Sequence, residues 1–475
     1  MARKKKQWPL MQGVEVGPAA AEGNAVVRID DMVVFVPKVV PGDIIDLQIT
    51  RSKRNYAEGR AERIVSPSSL RVAPLCPHND HCGGCRWQAM RYDAQLQAKQ
   101  QQVRDNLERL GQVDCSTMRP ICGSDNIECY RNKLEFTFST RSWLTREQIS
   151  QGQQPHPWGA LGFHVPGMFD KVIDITHCAL QPKPSNAIRN AVRQYAIEHN
   201  LAPYDQRQHT GLLRNLVIRT ASTGHLMVIL IVAQNAPEQV LPLLEMLKNE
   251  FPEITSLQYI INTKLNDSYA DLDVITYHGS AHIEEQMLNY SRTSSLRFTI
   301  NPKSFYQTNS QQAQRLYSFV AELCEAQPSD TIYDLYTGAG TIALFMANQC
   351  KKVVGIEYVE EAVADARANS RLNGFNNTTF YAGDMAQVLT PDFIANNGQP
   401  DIIIADPPRA GMHPKVIEQI IAARPRRLVY VSCNPATQAR DLQLLQPYFT
   451  VACIQPVDMF PHTQHVENIV QLNLK

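Results

Sequence analysis

The sequence contains no long hydrophobic run. Its longest uninterrupted apolar stretch, Leu226 to Ala233, is too short for the core of a secretion signal or for a membrane span. Internal repeats and low-complexity tracts are also missing, and the composition of 44% hydrophobic residues, 23 Gly and 29 Pro excludes a disordered or fibrous chain. We therefore expect a soluble, cytoplasmic protein of two to four domains with no membrane partner.

The sequence also has no net charge, with 46 Lys and Arg against 46 Asp and Glu. A neutral total argues weakly against a nucleic-acid partner, but it hides basic regions. One lies at the start, in Arg3, Lys4, Lys5 and Lys6. Residues 51–71 form another, where only Glu58 and Glu62 oppose Arg51, Lys53, Arg54, Arg60, Arg63 and Arg71. This second region predicts either a surface that follows a phosphate backbone or a solvated edge that discourages strand pairing.

The eleven cysteines are an odd number in a chain without an export signal, so a disulfide framework is not expected. Three of them, Cys76, Cys82 and Cys85, lie close together around two glycines that let the backbone turn sharply. This spacing predicts a metal-binding loop that needs a fourth ligand. The nearest candidates are Cys115, Cys122, Cys129 and Cys178.

Three regions follow from the pattern of apolar residues. Residues 1–70 contain short strands separated by turns, Ala25 to Ile29, Met32 to Val36 and Asp43 to Ile49, which predict a small β-barrel. Residues 71–310 mix predicted helices at 91–110 and 185–200 with strands at 134–139, 216–220 and 226–233, as in an α/β domain. Residues 311–475 alternate strictly between strand and helix, which predicts a doubly wound parallel sheet.

Polar motifs follow the predicted strands of this last region. They are Thr337-Gly338-Ala339-Gly340, Glu357, Gly383-Asp384, Asp406-Pro407-Pro408-Arg409 and Cys433-Asn434-Pro435. Because the carboxyl ends of parallel strands meet at one edge of a sheet, these motifs should line a single cleft. The two glycines and Glu357 are compatible with either a dinucleotide or S-adenosylmethionine as the cofactor. Asp384 and Asp406 fit only S-adenosylmethionine, with Asp384 near its adenine and Asp406 near its methyl group.

Cys433 indicates the chemistry. A cysteine between a buried strand and a helix N-terminus can have a lowered pKa and act as a nucleophile. Methylation of oxygen or nitrogen needs no thiolate, but methylation of C5 of a pyrimidine does, because addition at C6 makes C5 nucleophilic. A base must then remove the C5 proton, and His462, His465 and Glu467 are all candidates on chemical grounds.

The chain resembles the S-adenosylmethionine-dependent RNA 5-methyluridine methyltransferases over nearly its whole length. The resemblance lies in Ser304 to Asn309, Asp334 to Thr341, Asp406 to Gly411, Tyr430 to Pro435 and His465-Val466-Glu467. It implies a class I, Rossmann-like methyltransferase domain preceded by an OB-like TRAM barrel and a mixed α/β central domain. Thr341 departs from the pattern, because family members often have Asn after the glycines.

The resemblance also implies roles for individual residues. Cys433 would be the nucleophile and Glu467 the base, and the S-adenosylmethionine contacts would be Gln307, Tyr336, Glu357 and Asp406, with Asp384 as a further candidate. Cys76, Cys82, Cys85 and Cys178 match the ligand spacing of a [4Fe-4S] cluster, although Cys₄ ligation with His78, His81 and His177 nearby would also suit zinc. Barrel and cluster together favour 23S ribosomal RNA over transfer RNA, because transfer-RNA enzymes of the family generally lack both.

Two other functions compete with this interpretation. Asp406-Pro407-Pro408 is similar to the motif of amino-group methyltransferases, but Arg409 stands where those enzymes have an aromatic residue, and Cys433 has no part in their mechanism. A non-catalytic iron-sulfur RNA-binding protein is the second, and the presence of both Cys433 and Glu467 argues against it. We expect the target base to leave its stack to reach Cys433 and the protein to be a monomer.

Overall fold

The computed structural model describes residues 8–475. The basic residues Arg3, Lys4, Lys5 and Lys6 lie outside this range. The described chain builds a five-stranded sheet, two seven-stranded sheets and a two-stranded hairpin. None of its helices combines the length and apolar composition that a membrane span requires.

The N-terminal sheet curls around its own core. Its strands have the order β1-β4-β5-β3-β2 and enclose apolar side chains such as Val27, Val34, Ile45 and Leu47. The strands are β1 (Met11–Glu15), β2 (Ala25–Ile29), β3 (Met32–Val36), β4 (Ile44–Ser52) and β5 (Tyr56–Ser66), with a 3₁₀ turn at Ala21–Gly23. The predicted first and last residues of β2 and β3 are both confirmed, because turns mark the two ends of each strand.

The strand predicted from Asp43 begins one residue later, at Ile44. The buried Asp43 carboxylate instead accepts hydrogen bonds from the backbone N–H of Val40 (2.7 Å) and Ser68 (2.9 Å), and it pairs with Arg71. Asp43 therefore closes the turn before β4 and ties the end of the curled sheet to the following segment.

The central sheet has the order β12-β11-β10-β9-β6-β7-β8 and is mixed, since only β10 and β11 run parallel. Helices α3 and α4 pack on one face. The other face shares a core with the hairpin β13–β14 and the C-terminal domain. In chain order the elements are α1 (Tyr92–Arg109), β6 (Lys133–Ser139), α2 (Arg146–Ser150), β7 (Ala160–His164), β8 (Val172–Asp174), α3 (Ser185–Glu198), β9 (Leu213–Thr220), β10 (Leu226–Val232), α4 (Pro237–Glu250), β11 (Ser256–Ile261), β12 (Val274–Gly279), β13 (Ile283–Leu288) and β14 (Ser295–Ile300).

The C-terminal sheet has the order β17-β16-β15-β18-β19-β21-β20. Neighbouring strands within it run parallel, except that β21 is antiparallel to both β19 and β20. This confirms the doubly wound α/β fold. Its elements are α5 (Ser310–Cys324), β15 (Thr331–Leu335), α6 (Thr341–Met346), a 3₁₀ turn (Ala347–Gln349), β16 (Lys352–Glu357), α7 (Glu360–Leu372), β17 (Thr378–Ala382), α8 (Met385–Val388), α9 (Pro391–Asn397), β18 (Ile402–Ala405), α10 (Pro414–Ala423), β19 (Arg427–Ser432), α11 (Pro435–Leu445), β20 (Phe449–Val457) and β21 (Glu467–Leu474).

Helix α1 precedes the central sheet in the chain but packs against α11 of the C-terminal domain. Val103 and Leu107 of α1 share a core with Leu442 and Leu445. The segment after α1 continues this contact, because Met118 and Cys122 form bridges with Ile454 and Val457 of β20. The chain therefore crosses the C-terminal domain before it enters the central sheet.

Candidate active site

The turn after β15 carries the glycine motif. Tyr336 (φ 64°), Gly338 (φ 55°) and Gly340 (φ 81°) all have left-handed backbone, which glycine adopts without strain. A Cβ at Gly340 would lie 3.1 Å from Ala366 and 3.3 Å from the Phe380 ring, whereas one at Gly338 would meet no atom within 4 Å. Gly340 thus allows the helix to pack, and the backbone at Gly338 faces open space that can receive a ligand.

Glu357 closes this turn from the end of β16. Its Oε2 accepts a hydrogen bond from the N–H of Gly338 (3.1 Å), and its Oε1 accepts one from Val359 (3.0 Å). Each carboxylate oxygen keeps a free lone pair, so a half-buried Glu357 can still accept hydroxyl groups. The carboxylate therefore orients the glycine turn and also offers acceptors beside it.

Two carboxyls, the buried Asp334 and the half-buried Asp406, lie beneath the turn. Burial raises the pKa of Asp334 and of Asp406 to about 7, and the proximity of Asp406 contributes to the shift of Asp334. Asp334 Oδ2 accepts from Thr337 Oγ1 (2.5 Å) and from the N–H of Ala343 (3.1 Å). Asp334 lies within the recognised motif, but no role was predicted for it. A carboxylate near the end of a largely apolar, buried strand is the signal that could have identified it.

Tyr336 and Asp384 lie on the same side of the cleft. Burial and the nearby carboxylates of Asp441, Asp384 and Glu357 raise the pKa of Tyr336 to about 12. Asp384 Oδ1 caps helix α8 by accepting from the N–H of Ala386 (2.9 Å). Asp384, which is predicted to contact the cofactor, therefore also caps a helix, and the residue remains exposed.

Gln307, in the loop before α5, lines the cavity beside the cleft. Asn132 Nδ2 donates to the Gln307 carbonyl (2.9 Å). The buried Arg219 guanidinium donates to the carbonyls of Asn301 (3.0 Å), Pro302 (3.2 Å) and Ser304 (3.0 Å). Gln307 is therefore placed by the segment before β6 and by β9, within the region assigned to the central domain from the sequence.

Cys433 lies between β19 and α11. Asn434 caps α11 by accepting from the N–H of Ala436 (3.2 Å), and its Nδ2 donates to the Arg409 carbonyl (3.1 Å). Burial and the carboxylates of Glu467 and Asp406 raise the pKa of Cys433 to about 11, against an opposing effect of Arg409. The expected lowering of this pKa is wrong for the free protein, because these effects exceed that of the helix terminus.

Glu467 begins β21 and is 5% exposed. The last pair of the β19–β21 ladder is Ser432 with Asn468, so Glu467 is the neighbour of Asn468 on the side of Cys433. Gln438 Nε2 donates to the Asn468 carbonyl (3.2 Å), and its Oε1 accepts from Asn468 Nδ2 (2.8 Å). Burial and Asp406 raise the pKa of Glu467 well above its usual range.

The two other predicted base candidates are neutral imidazoles. Burial lowers the pKa of His462 and of His465 to about 4. His462 Nδ1 lies 3.3 Å from Gln95 Nε2 of α1, which gives this ring a structural contact. His465 instead lines the cavity beside the cleft, together with Gln307 and Arg409.

That cavity, of about 530 Å³, also contains all four predicted cluster cysteines, Cys76, Cys82, Cys85 and Cys178. Burial and the three other thiols raise the pKa of Cys85 to about 12. The N–H of Thr176 donates a hydrogen bond to Nε2 of His78 (3.0 Å). Across residues 8–475, no group of three or more His, Cys, Asp or Glu side chains has the arrangement of a metal site. The donor set itself suits a cluster.

Lys38 of the curled sheet holds the cysteine loop. Its Nζ donates to the backbone carbonyls of Cys82 (2.9 Å) and Cys85 (2.8 Å), and also to that of Asn79. A lysine ammonium has three protons, so Lys38 donates all three of them to carbonyls of the cysteine loop.

A second cleft, of about 800 Å³, lies beside this loop and is lined by Phe35, Tyr56, Arg60 and Trp143 among others.

Comparison with known proteins agrees with this geometry. Residues 278–475 match the family model "tRNA (Uracil-5-)-methyltransferase", and residues 11–61 match the TRAM domain. Uncharacterised RNA methyltransferases of Bacteroides thetaiotaomicron and Porphyromonas gingivalis are each 52% identical, over 96% and 97% of this chain and 100% and 99% of their own length. The crystal structure of Pyrococcus abyssi tRNA (uracil-54, C5)-methyltransferase with S-adenosyl-L-homocysteine covers 97% of this chain and 100% of its own, with 26% identity and a TM-score of 0.73.

The fold and the cleft define an S-adenosylmethionine-dependent methyltransferase with an N-terminal RNA-binding TRAM domain. The chain belongs to the RNA (uracil-5-)-methyltransferase family.

Proposed function

We propose that this enzyme methylates C5 of a specific uridine in 23S ribosomal RNA and forms 5-methyluridine through a covalent bond between Cys433 and C6. The observation that carries the proposal is the position of Cys433 and Glu467 directly beyond the last pair of the β19–β21 ladder. A nucleophile and a base are thereby fixed opposite each other on adjacent strands. Amino-group methylation would need neither residue.

The reaction begins at Cys433. Its thiolate adds to C6 of the uracil, and the π electrons of the C5–C6 bond move to C5. S-adenosylmethionine, when bound, supplies an electrophilic methyl group, which C5 accepts as the bond from sulfonium sulfur to methyl breaks. The Glu467 carboxylate then removes the C5 proton. The electrons of that C–H bond restore the C5–C6 double bond and expel the Cys433 thiolate.

Both groups must be ionised to react. In the free protein the Cys433 thiol, with a pKa of about 11, is neutral at pH 7, and burial shifts the pKa of Glu467 in the direction of its neutral form. Arg409 lowers the pKa of the Cys433 thiol and of the Glu467 carboxyl. A cationic sulfonium beside Asp406 would act in the same direction, because positive charge favours both anions. The site therefore becomes active when the methyl donor is present.

The donor is held, in this proposal, by Gln307, Tyr336, Glu357 and Asp406. Glu357 would accept the ribose hydroxyls, the open backbone at Gly338 would face the ligand, and Asp406 would lie at the methyl end. Asp384 would lie near the adenine. These roles fit the carboxyl-end cleft of a doubly wound sheet.

We also propose that Cys76, Cys82, Cys85 and Cys178 hold a [4Fe-4S] cluster. Support comes from four thiols around one cavity and from the ammonium of Lys38 beside a loop that carries three of them. A cluster ligated by four thiolates has net negative charge, which this ammonium would offset. Its role would be to hold the curled sheet, the central domain and the RNA together.

The same reaction on transfer RNA is a second candidate. The Pyrococcus abyssi structure that covers 97% of this chain is a transfer-RNA enzyme, so the presence of a TRAM domain and of the cysteine region does not by itself exclude transfer RNA. The argument for 23S ribosomal RNA is the resemblance to ribosomal-RNA members with barrel and cluster. We propose that the enzyme acts as a cytoplasmic monomer on either substrate.

The test is transfer of labelled methyl groups to unmodified 23S ribosomal RNA and, separately, to unmodified transfer RNA, with the product nucleoside identified. We expect 5-methyluridine in ribosomal RNA only, abolished by Cys433→Ala and retained in Cys129→Ala, a control at an exposed cysteine. If 5-methyluridine formed in transfer RNA only, the proposed mechanism would stand, but the assignment of 23S ribosomal RNA as the substrate would be wrong. A methylated amine that survives Cys433→Ala would overturn the mechanism.

A further inference from the structure

The loop of residues 458–466, which joins β20 to β21, ends at Glu467. Helix α1 holds this loop from outside the C-terminal domain. Lys99 Nζ donates to Asp458 Oδ1 (2.6 Å) and to the Phe460 carbonyl (3.0 Å). The side chains of Lys99 and Asp458 are both fully buried. An ion pair without solvent allows little change of geometry, because neither charge can be left unpaired there.

Two other residues of α1 complete these contacts. Tyr92 Oη donates to Asp458 Oδ2 (2.9 Å). Gln95 Oε1 accepts from the N–H of His462 (2.8 Å), and Gln95 Nε2 lies 3.3 Å from His462 Nδ1. Gln95 is itself fully buried, and its Nε2 also donates to the carbonyls of Trp87 (3.1 Å) and Met90 (2.8 Å).

The backbone of the loop is strained at the point that Gln95 holds. His462 has φ 68°, a left-handed conformation that non-glycine residues rarely adopt and that persists only when surrounding contacts impose it. Trp87, two residues after Cys85, donates its N–H to the His462 carbonyl (2.9 Å). Removal of these contacts would free the loop that leads to Glu467, whose backbone pairs with Val457 at the end of the β20–β21 ladder.

We propose that Gln95 and Lys99 are positioning residues for Glu467: they hold the 458–466 loop so that the carboxyl remains opposite Cys433. The inference rests on the proposed function, in which Glu467 removes the C5 proton. Neither residue touches the reacting atoms. We expect their largest effect on the step that uses Glu467, while addition of Cys433 and methyl transfer still proceed.

The test compares Gln95→Ala with Gln97→Ala, a substitution of an exposed residue on the same helix. For Gln95→Ala we expect kcat to fall at least tenfold, with the KM values for RNA and S-adenosylmethionine changed less than twofold. The fraction of enzyme bound to RNA in a denaturation-resistant adduct during turnover should rise at least threefold, because elimination becomes slow. Gln97→Ala should match the wild type.

Hydrogen-deuterium exchange gives a readout that needs no turnover. We expect faster exchange in residues 458–466 of Gln95→Ala. Tyr92→Phe, which removes one hydroxyl and no apolar volume, should change adduct fraction and exchange in the same direction by a smaller factor, and it decides the question if Gln95→Ala does not fold.

An unchanged adduct fraction in folded Gln95→Ala and Tyr92→Phe would overturn the inference, even if their thermal stability fell, because a merely structural role predicts that result. A wild-type enzyme that forms neither adduct nor 5-methyluridine would overturn the proposed function and this inference together. The wild-type arm thus separates the two failures.

Discussion

Cys433 directly follows Ser432 and Glu467 directly precedes Asn468, and Ser432 and Asn468 are the last residue pair of the antiparallel strands β19 and β21. Both side chains lie within the field of Asp406 and Arg409. Opposite residues in such a ladder have Cα atoms about 4.5–5.5 Å apart. The end of this ladder therefore brings the proposed nucleophile and the proposed base close together before any substrate binds.

Glu467→Gln should stop the reaction after methyl transfer. An amide cannot accept the C5 proton, so the Cys433 adduct forms but is not eliminated. We expect kcat to fall by about 10²–10⁴-fold and a denaturation-resistant complex with methylated RNA to accumulate, measured by gel electrophoresis. Glu322→Gln on α5, an exposed residue paired with Arg119, is the control. Loss of activity without any adduct would contradict the assigned role.

The reactivity of Cys433 should depend on pH and on the charge of the ligand. Because its pKa is raised to about 11, the thiolate fraction in the free enzyme should increase about tenfold for each pH unit between 7 and 9. Alkylation by iodoacetamide, followed at the Cys433 peptide by mass spectrometry, should increase accordingly.

S-adenosylmethionine and S-adenosylhomocysteine allow the charge effect to be isolated, since both occupy the same site and only the first is cationic. We expect faster alkylation with S-adenosylmethionine than with S-adenosylhomocysteine at pH 8. A rate that reaches a plateau below pH 8 in the free enzyme would show that the thiol pKa is not raised.

Glu357→Gln should weaken binding of S-adenosylmethionine. Hydrogen bonds to a charged group contribute about 1.5–3 kcal/mol, so we expect the Kd to rise by about one to two orders of magnitude in isothermal titration calorimetry. Glu360→Gln, at the exposed start of α7 three residues later, should leave the Kd unchanged. Equal affinity of Glu357→Gln and wild type would exclude Glu357 from the binding site.

Cys178→Ser should reduce the iron content of anaerobically purified enzyme, because a cluster held by four thiolates would lose one ligand. Iron, sulfide and the absorbance near 400 nm are the measurements. Cys129→Ser should retain the full content, since Cys129 is exposed and does not line the cavity. If the wild-type enzyme instead contained stoichiometric zinc and no sulfide, the iron-sulfur cluster would be contradicted, but the assignment of the four cysteines as metal ligands would stand.

Much of the fold could be predicted from the sequence, because local patterns decide it. The strands β2 and β3 and the helix α3 begin where turn residues and apolar periodicity indicate. The alternation after residue 311 predicts the parallel sheet and its carboxyl-end cleft. Helix α1 was also predicted, but its packing against α11 was not, because its apolar residues do not specify the partner.

The sequence by itself determined which residues are available: a cysteine after one strand, carboxylates after three others, and a loop with three cysteines. Only the tertiary structure decided their proton affinities and partners. Cys433 is made less acidic by Glu467 and Asp406, which come from other strands. Glu467 is opposite Cys433, and His462 is held by Gln95. Burial and charge depend on neighbours distant in the chain, which no local pattern contains.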